Sequence, residues 1–232
     1  MEPYQPQTEP VTKRAHFVPA LVVIDMQNDF VTGSLPVPEG GAIVSLINEL
    51  IKLPFKLRIA TADFHPVDHV SFADTHGQPP LSKAIVFHPE DKEKLMGMQQ
   101  VLWPRHCIAH TGGAEFVDGL IMDKFDATIR KGTHPQIESY SAFRDIWGRN
   151  KTELAEILES AGVTDVFYVG LAGDYCVKYT TIDSAKIGFR TWIVVDGVKS
   201  IRNDSVAWDQ AKKEGVLFTN SDSVKEAMAD LK

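Results

Sequence analysis

Six short apolar runs, spaced along the chain and separated by stretches of helical periodicity, constrain the fold of this sequence most. The runs are Pro19 to Ile24, Leu57 to Thr61, Phe125 to Arg130, Asp165 to Val169, Thr191 to Val195 and Val216 to Thr219. Each is short and rich in β-branched or aromatic residues, as strands are. Between them, Ile43 to Leu53, residues up to Ser160, Asp174 to Lys186, Asn203 to Lys213 and Ser223 to Leu231 read as helices. Pro54 stops the first of these, and Asn150-Lys151-Thr152-Glu153 resembles a capping box ahead of the second. Strands alternating with helices imply a parallel sheet covered on both faces. The expectation is a three-layer α/β/α domain with a mainly parallel six-stranded sheet. It would occupy residues 17–232 as one unit, behind a flexible, polar, proline-containing tail at 1–16. Ligands of such sheets sit beyond the carboxyl ends of strands, where strand order reverses.

Composition narrows the function classes. The 232 residues are 44% hydrophobic and 24% charged, ordinary for a globular domain. A net charge of −7 argues against a broad nucleic-acid footprint. No apolar run approaches the roughly 20 residues that span a bilayer, and Met1 to His16 contains no apolar signal core. Two cysteines, Cys107 and Cys176, are too few for a disulfide framework; they leave room for a single bridge but suit a reducing, cytoplasmic setting better.

Several chemistry-bearing residues fall at expected carboxyl ends of strands. Cys176 follows the run Val166 to Val169 and the turn Gly170-Leu171-Ala172-Gly173. A sulfur near a helix N-terminus would lie beside unpaired N–H groups, which favour thiolate and can hold an oxyanion; the plainer reading is a small core residue. Asp25 ends the first run and Lys131 the third. A carboxylate can take a thiol proton and later give it to a leaving amine, while an ammonium favours both anions. Taken singly, Asp25 reads equally as a turn residue and Lys131 as a solvated strand end.

A second constellation is Asp63-Phe64-His65 with His106. Asp and His two apart in an extended segment point the same way. A distant histidine would complete a set suited to Zn2+ or another first-row divalent ion. His69 competes with His106 for that place, Cys107 is a softer alternative, and loop histidines beside an unrelated turn are the bland reading. The stretch Phe64 to Gly113 shows little periodicity, yet carries six of the eight histidines. Phe30, Trp103 and Tyr175 flank these positions and could wall a flat ring, although buried aromatics are more often core.

Taken together, these segments resemble the nicotinamidase family of the isochorismatase-like cysteine hydrolases. The matching stretches are Val23 to Phe30, Gly33 to Val37, Asp63-Phe64-His65-Pro66, His69 to Phe72, Leu102 to Cys107, Arg130-Lys131-Gly132 and Gly170 to Val177, in family order. Phe64 stands where family members often carry Trp, and Thr32 where many carry Gly. The resemblance implies the isochorismatase-like hydrolase fold and an Asp25–Lys131–Cys176 triad. It implies a divalent metal, Zn2+ ahead of Fe2+ or Mn2+, on Asp63, His65 and His106. It further implies a cis peptide between Leu171 and Ala172, an oxyanion hole from the Ala172 and Cys176 amides, and ring contacts from Phe30, Trp103 and Tyr175. The implied activity is hydrolysis of nicotinamide to nicotinate and ammonia in NAD salvage, with pyrazinamide also accepted. The implied setting is a cytoplasmic homo-oligomer, also nuclear in a eukaryote, with no nucleic-acid or membrane partner. A metal-free N-carbamoyl amide hydrolase would leave Asp63, His65 and His106 without purpose. An isochorismatase needs no cysteine, and a non-catalytic zinc protein needs no triad.

Overall fold

The structure, a computed structural model, describes residues 6–202 and 205–231. In chain order the elements are β1 (Pro19–Ile24), the single turn α1 (Asn28–Val31), α2 (Val44–Ile51), β2 (Leu57–Asp63), β3 (Lys83–Phe87), β4 (Gly97–Val101), β5 (Ala127–Lys131), α3 (Leu154–Ser160), β6 (Asp165–Gly170), α4 (Lys178–Ile187), β7 (Arg190–Val198), α5 (Val206–Lys213), β8 (Leu217–Thr219) and α6 (Ser221–Met228). Six strands form one parallel sheet in the order β5-β2-β1-β6-β7-β8. All six expected strands are present.

β1 is buried along its whole length because both its faces are covered. Leu21 and Val23 face a layer in which α2 brings Ile47, Leu50 and Ile51 and α6 brings Val224 and Met228. Ala20, Val22 and Ile24 face the opposite layer, with Leu154 and Leu158 of α3, Ile182 of α4 and Trp208 of α5. Burying each such side chain contributes about 1.5–3 kcal/mol, which is why the central strands read as continuous apolar runs.

Four details differ from the sequence expectation. The aperiodic stretch after Phe64 contains an antiparallel hairpin, β3–β4; Ile85 in β3 is 59% exposed, so the usual alternation of apolar and polar faces is missing. The capping box does not form. The Thr152 hydroxyl accepts the Leu154 N–H at 3.2 Å and donates to the Ala142 carbonyl at 2.6 Å, so it anchors a loop as well as the helix. Residues Gly173–Val177 form a π turn, and α4 begins only at Lys178. α6 starts at Ser221, where the Asn220 side chain accepts the Ser223 N–H at 2.9 Å. Asn203 and Asp204, expected in a helix, lie outside the described residues.

Of the segment expected as a tail, residues 6–16 lie against the β8–α6 edge. The Glu9 N–H donates to the Phe218 carbonyl at 2.8 Å, and the Val11 N–H to Ser223 Oγ at 2.8 Å. Among the described residues, no helix is long and apolar enough to cross a membrane.

The chain builds outward from β1 to β2 and β5, then returns to place β6 on the other side of β1. Strand order therefore reverses between β1 and β6. The carboxyl ends of β1, β2, β5 and β6 all open on that edge, and Asp63 is in register with Lys131.

Candidate active site

Asp25 leaves β1 in the left-handed region, at φ 47°, a conformation aspartate tolerates better than most residues. This turns its carboxylate back into the sheet edge, where it is fully buried. Oδ1 accepts the Thr61 hydroxyl at 2.5 Å, and Oδ2 lies 2.9 Å from the Lys131 ammonium. Oδ2 accepts no well-directed hydrogen bond from a described residue, so a buried acceptor is left available. Lys131 Nζ also donates to Cys176 Sγ at 3.3 Å and pairs with Asp63 Oδ1. Asp25, Asp63 and Cys176 each present an atom within 4.8 Å of the others. The three residues named from their strand ends thus converge.

Two carboxylates and one ammonium set the charge of this cluster. Burial alone would lower the Lys131 pKa, but Asp25 and Asp63 outweigh it and hold the ammonium well above its ordinary range. Burial raises Asp25 against the pull of Lys131. Burial also pushes the Cys176 thiol well up, against Lys131, with Asp25 and Asp63 adding to the rise. A third anion beside two carboxylates in a dry site is unfavourable, which opposes the thiolate that the N–H groups of the turn would favour.

Asp63 joins this cluster to the second constellation. Its Oδ2 lies 3.6 Å from His65 Nε2 and 4.0 Å from His106 Nε2. Burial opposes its ionisation, but Lys131 and His65 hold it well below the carboxylate range. His65 Nδ1 donates to the Gly132 carbonyl at 2.9 Å, and His106 Nδ1 to the Pro104 carbonyl at 2.8 Å. A carbonyl can only accept, so each Nδ1 carries a proton and each Nε2 is turned towards Asp63. Burial would lower the His65 pKa, but the Asp63 carboxylate outweighs it and raises it. Burial, then His65, lowers His106 to about 4, so its ring is neutral. Imidazoles fixed through their far nitrogens around one carboxylate are a donor set a divalent metal fits.

His69 is not a member of this set. It stacks on His65 with centroids 4.2 Å apart, but Nδ1 meets Ser71 Oγ at 2.7 Å and Nε2 meets the Ile137 carbonyl at 3.1 Å. Both nitrogens are used. Cys107 Sγ turns towards the Gly113 carbonyl, so the softer alternative also falls away.

The turn before Cys176 contains the expected cis peptide between Leu171 and Ala172. The Ala172 carbonyl accepts the Tyr175 and Val177 N–H groups at 3.0 and 3.1 Å, which leaves the Cys176 N–H out of that pairing. A narrow cavity reaches Cys176, Ala172, Asp63, His65 and His106 between Phe30, Trp103 and Tyr175. Trp103 meets Tyr175 edge-on at 4.7 Å, and Phe30 packs 5.4 Å from His106.

Leu35, quoted only within the stretch Gly33 to Val37, also lines this cavity, with Glu138, Tyr140 and Ile201, which sequence reading missed. Tyr140 accepts the Trp103 indole N–H at 3.2 Å. They lie in loops with no periodicity, so no pattern marked them. Gln27, quoted only as part of a motif, pins Asp63: it donates to the Asp63 carbonyl and accepts the Asp63 N–H, each at 2.8 Å. A larger groove of about 790 Å³ lies outside this site, between the β3–β4 hairpin and α4; it shares only Tyr140 and Tyr175 with the cavity.

The isochorismatase domain profile matches residues 19–223. The chain is 34% identical over 202 residues to a nicotinamidase of Saccharomyces cerevisiae, covering 84% of this chain and 94% of that protein. It superposes on a nicotinamidase/pyrazinamidase of Acinetobacter baumanii with a TM-score of 0.81 at 36% identity, covering 91% of this chain and all of the other. A pyrazinamidase of Pyrococcus horikoshii in complex with zinc gives a TM-score of 0.69 at 37% identity, covering 88% and 99% of the two chains.

Proposed function

The chain belongs to the isochorismatase domain family, and from that premise we infer that it is a nicotinamidase, an amidohydrolase that converts nicotinamide to nicotinate and ammonia. The observation that carries the chemistry is the buried contact of Lys131 with both Asp25, at 2.9 Å, and Cys176, at 3.3 Å. A base, a nucleophile and a fixed cation are the parts that acyl transfer through a thioester needs.

In this mechanism Sγ attacks the carboxamide carbon as the thiol proton passes to Asp25. Lys131 stabilises the charges that develop on both. The carbonyl oxygen becomes an oxyanion held by the Ala172 and Cys176 N–H groups, a contribution typically worth about 3–4 kcal/mol per donor. Collapse breaks the C–N bond, and Asp25 returns its proton to the departing nitrogen, releasing ammonia. Water then attacks the Cys176 thioester as Asp25 takes its proton; collapse expels the sulfur, which takes that proton back from Asp25, and the acid loses its own proton to solvent as nicotinate. Phe30, Trp103 and Tyr175 sandwich the flat ring and exclude bulk water.

A divalent cation would be held by Asp63 Oδ2, His65 Nε2 and His106 Nε2. When bound it would supply a Lewis-acidic centre that orients the ring; two imidazoles with a carboxylate suit Zn2+ and Fe2+ alike, and the zinc of the Pyrococcus horikoshii pyrazinamidase supports Zn2+ ahead of Fe2+ or Mn2+. Pyrazinamide, which keeps the carboxamide and a ring nitrogen, fits the same recognition. A cytosolic setting is supported by two buried, unpaired cysteines. Association into a homo-oligomer is supported by the exposed Leu81, Ile85, Leu95 and Met96 around the hairpin.

The test is ammonia release from nicotinamide by metal-replete protein, with Cys176→Ala run in parallel. Turnover by the native chain and none by the variant is expected. Steady-state turnover by the variant would remove Cys176 as nucleophile, and none by the native chain would move the substrate to another amide.

A further inference from the structure

Two loops that the mechanism does not use build the outer wall of the ring pocket. Leu35 comes from the loop after α1, and Ile201 from the segment after β7. The position of Ile201 depends on Asp174. This carboxylate is 7% exposed and accepts the Ile201 N–H on Oδ1 at 3.0 Å and the Arg202 N–H on Oδ2 at 2.9 Å. Asp174 itself lies in the π turn that carries Cys176.

Other contacts fasten the same segment to the same turn. The Gly173 N–H donates to the Lys199 carbonyl at 2.8 Å. A side chain on Gly173 would come within 2.4 Å of Ser200 Oγ, so only glycine allows this approach. Lys199 Nζ pairs with Glu39 at 2.6 Å, which ties the segment to the loop that brings Leu35. A largely buried carboxylate is costly unless its hydrogen bonds are needed. Here both oxygens accept from the backbone of one loop, while its own N–H and Lys178 also stabilise the charge.

We propose that Asp174 is a positioning residue that latches Ile201 against the ring pocket, and that this latched wall sets the size of ring the enzyme accepts. The inference rests on the nicotinamidase reading. One methylene against an apolar wall is worth roughly 10–200-fold in kcat/KM, so displacing or trimming Ile201 should appear as a change in discrimination between ring substituents.

The experiment measures ammonia release from nicotinamide and from its 4-, 5- and 6-methyl derivatives. The proteins are the native chain, D174A, D174N, I201A and the D174A/I201A double variant. I201A is expected to raise kcat/KM for at least one methyl derivative, relative to nicotinamide, by about 10-fold. D174A should shift the same ratio in the same direction and raise KM for nicotinamide more than it lowers kcat. D174N, which keeps one accepting oxygen, should fall between D174A and native. The double variant should match I201A in this ratio, because a latch with nothing to hold adds nothing.

D174A with native KM and native discrimination would overturn the proposal. So would a fall in kcat alone, which would mean that Asp174 acts on the Cys176 turn and not on the wall. Additive effects in the double variant would overturn it equally. Should D174A fail to fold, D174N and I201A carry the same comparison. A native enzyme inactive on nicotinamide would defeat the functional reading itself, whereas native activity with unchanged discrimination defeats the latch alone.

Discussion

Lys131 carries more of the site than any other side chain, because one fully buried ammonium faces Asp25, Asp63 and Cys176. Removing it leaves two carboxylates buried without their counter-ion. Lys131→Met is expected to cost about 3–5 kcal/mol, the usual result of breaking a buried pair from one side, and to abolish turnover. Urea unfolding and ammonia release read the two effects separately; loss of activity with native stability would mean that the ion pairs are absent in solution. Asp25 gives a second expectation. Its pKa is raised, chiefly by burial, so on acidification it takes up its proton earlier than an ordinary aspartate. A protonated Asp25 cannot accept the thiol proton. The acid limb of kcat/KM should therefore fall at a pH above the ordinary carboxylate range, and an acid limb at or below that range would argue against Asp25 as the base. Asp25 and Lys131 could be singled out because each ends an apolar run, where a charged residue has only the sheet edge to occupy; Cys176 lies beyond the turn that follows its run. What surrounds Cys176 was not legible, because it depends on how many anions converge.

At the scale of elements, the turn after β5 positions His65, a proposed metal ligand. Gly132 has φ +63°, and a Cβ there would lie 2.3 Å from His65 Cε1. Its carbonyl also fixes the His65 tautomer. Gly132→Ala should therefore push His65 away from Asp63 and weaken Zn2+ binding by about 10–100-fold, the usual cost of disturbing a ligand's support. Titrating Zn2+ into chelated protein measures this, and unchanged affinity would remove His65 from the ligand set. Gln27 supports the next element. It holds both backbone groups of Asp63 and also donates to the Ala114 carbonyl. Gln27→Leu should destabilise the protein by about 1–3 kcal/mol for each backbone group left unsatisfied, read as a shift in the urea midpoint; a native midpoint would mean that water replaces the amide. Neither role shows in a sequence pattern. The glycine and the glutamine act on residues far away in the chain, and only β2–β5 and β1–β2 pairing brings them together.

At the scale of the molecule, the sheet was readable because its strands are buried on both faces, so burial alone dictates their composition. The β3–β4 hairpin was not, since its exposed Ile85 erases the alternation that would mark it. The same architecture bears on what the metal does for stability. The Asp63–His65–His106 set lies at the carboxyl edge of the sheet, and the apolar layers on either face are complete without it. Lys131 still neutralises Asp63 when no cation is bound. Chelation should therefore leave the far-ultraviolet circular dichroism unchanged while lowering Tm, because a ligand that binds only the folded state adds about 2.7 kcal/mol when its concentration is 100-fold above Kd. The loss in Tm should scale with the logarithm of free Zn2+ and reverse when Zn2+ is restored, with nicotinamide turnover recovering in step. Unfolding of the sheet on chelation would instead make the metal a structural element, and the three ligands would then belong to the fold and not to the reaction.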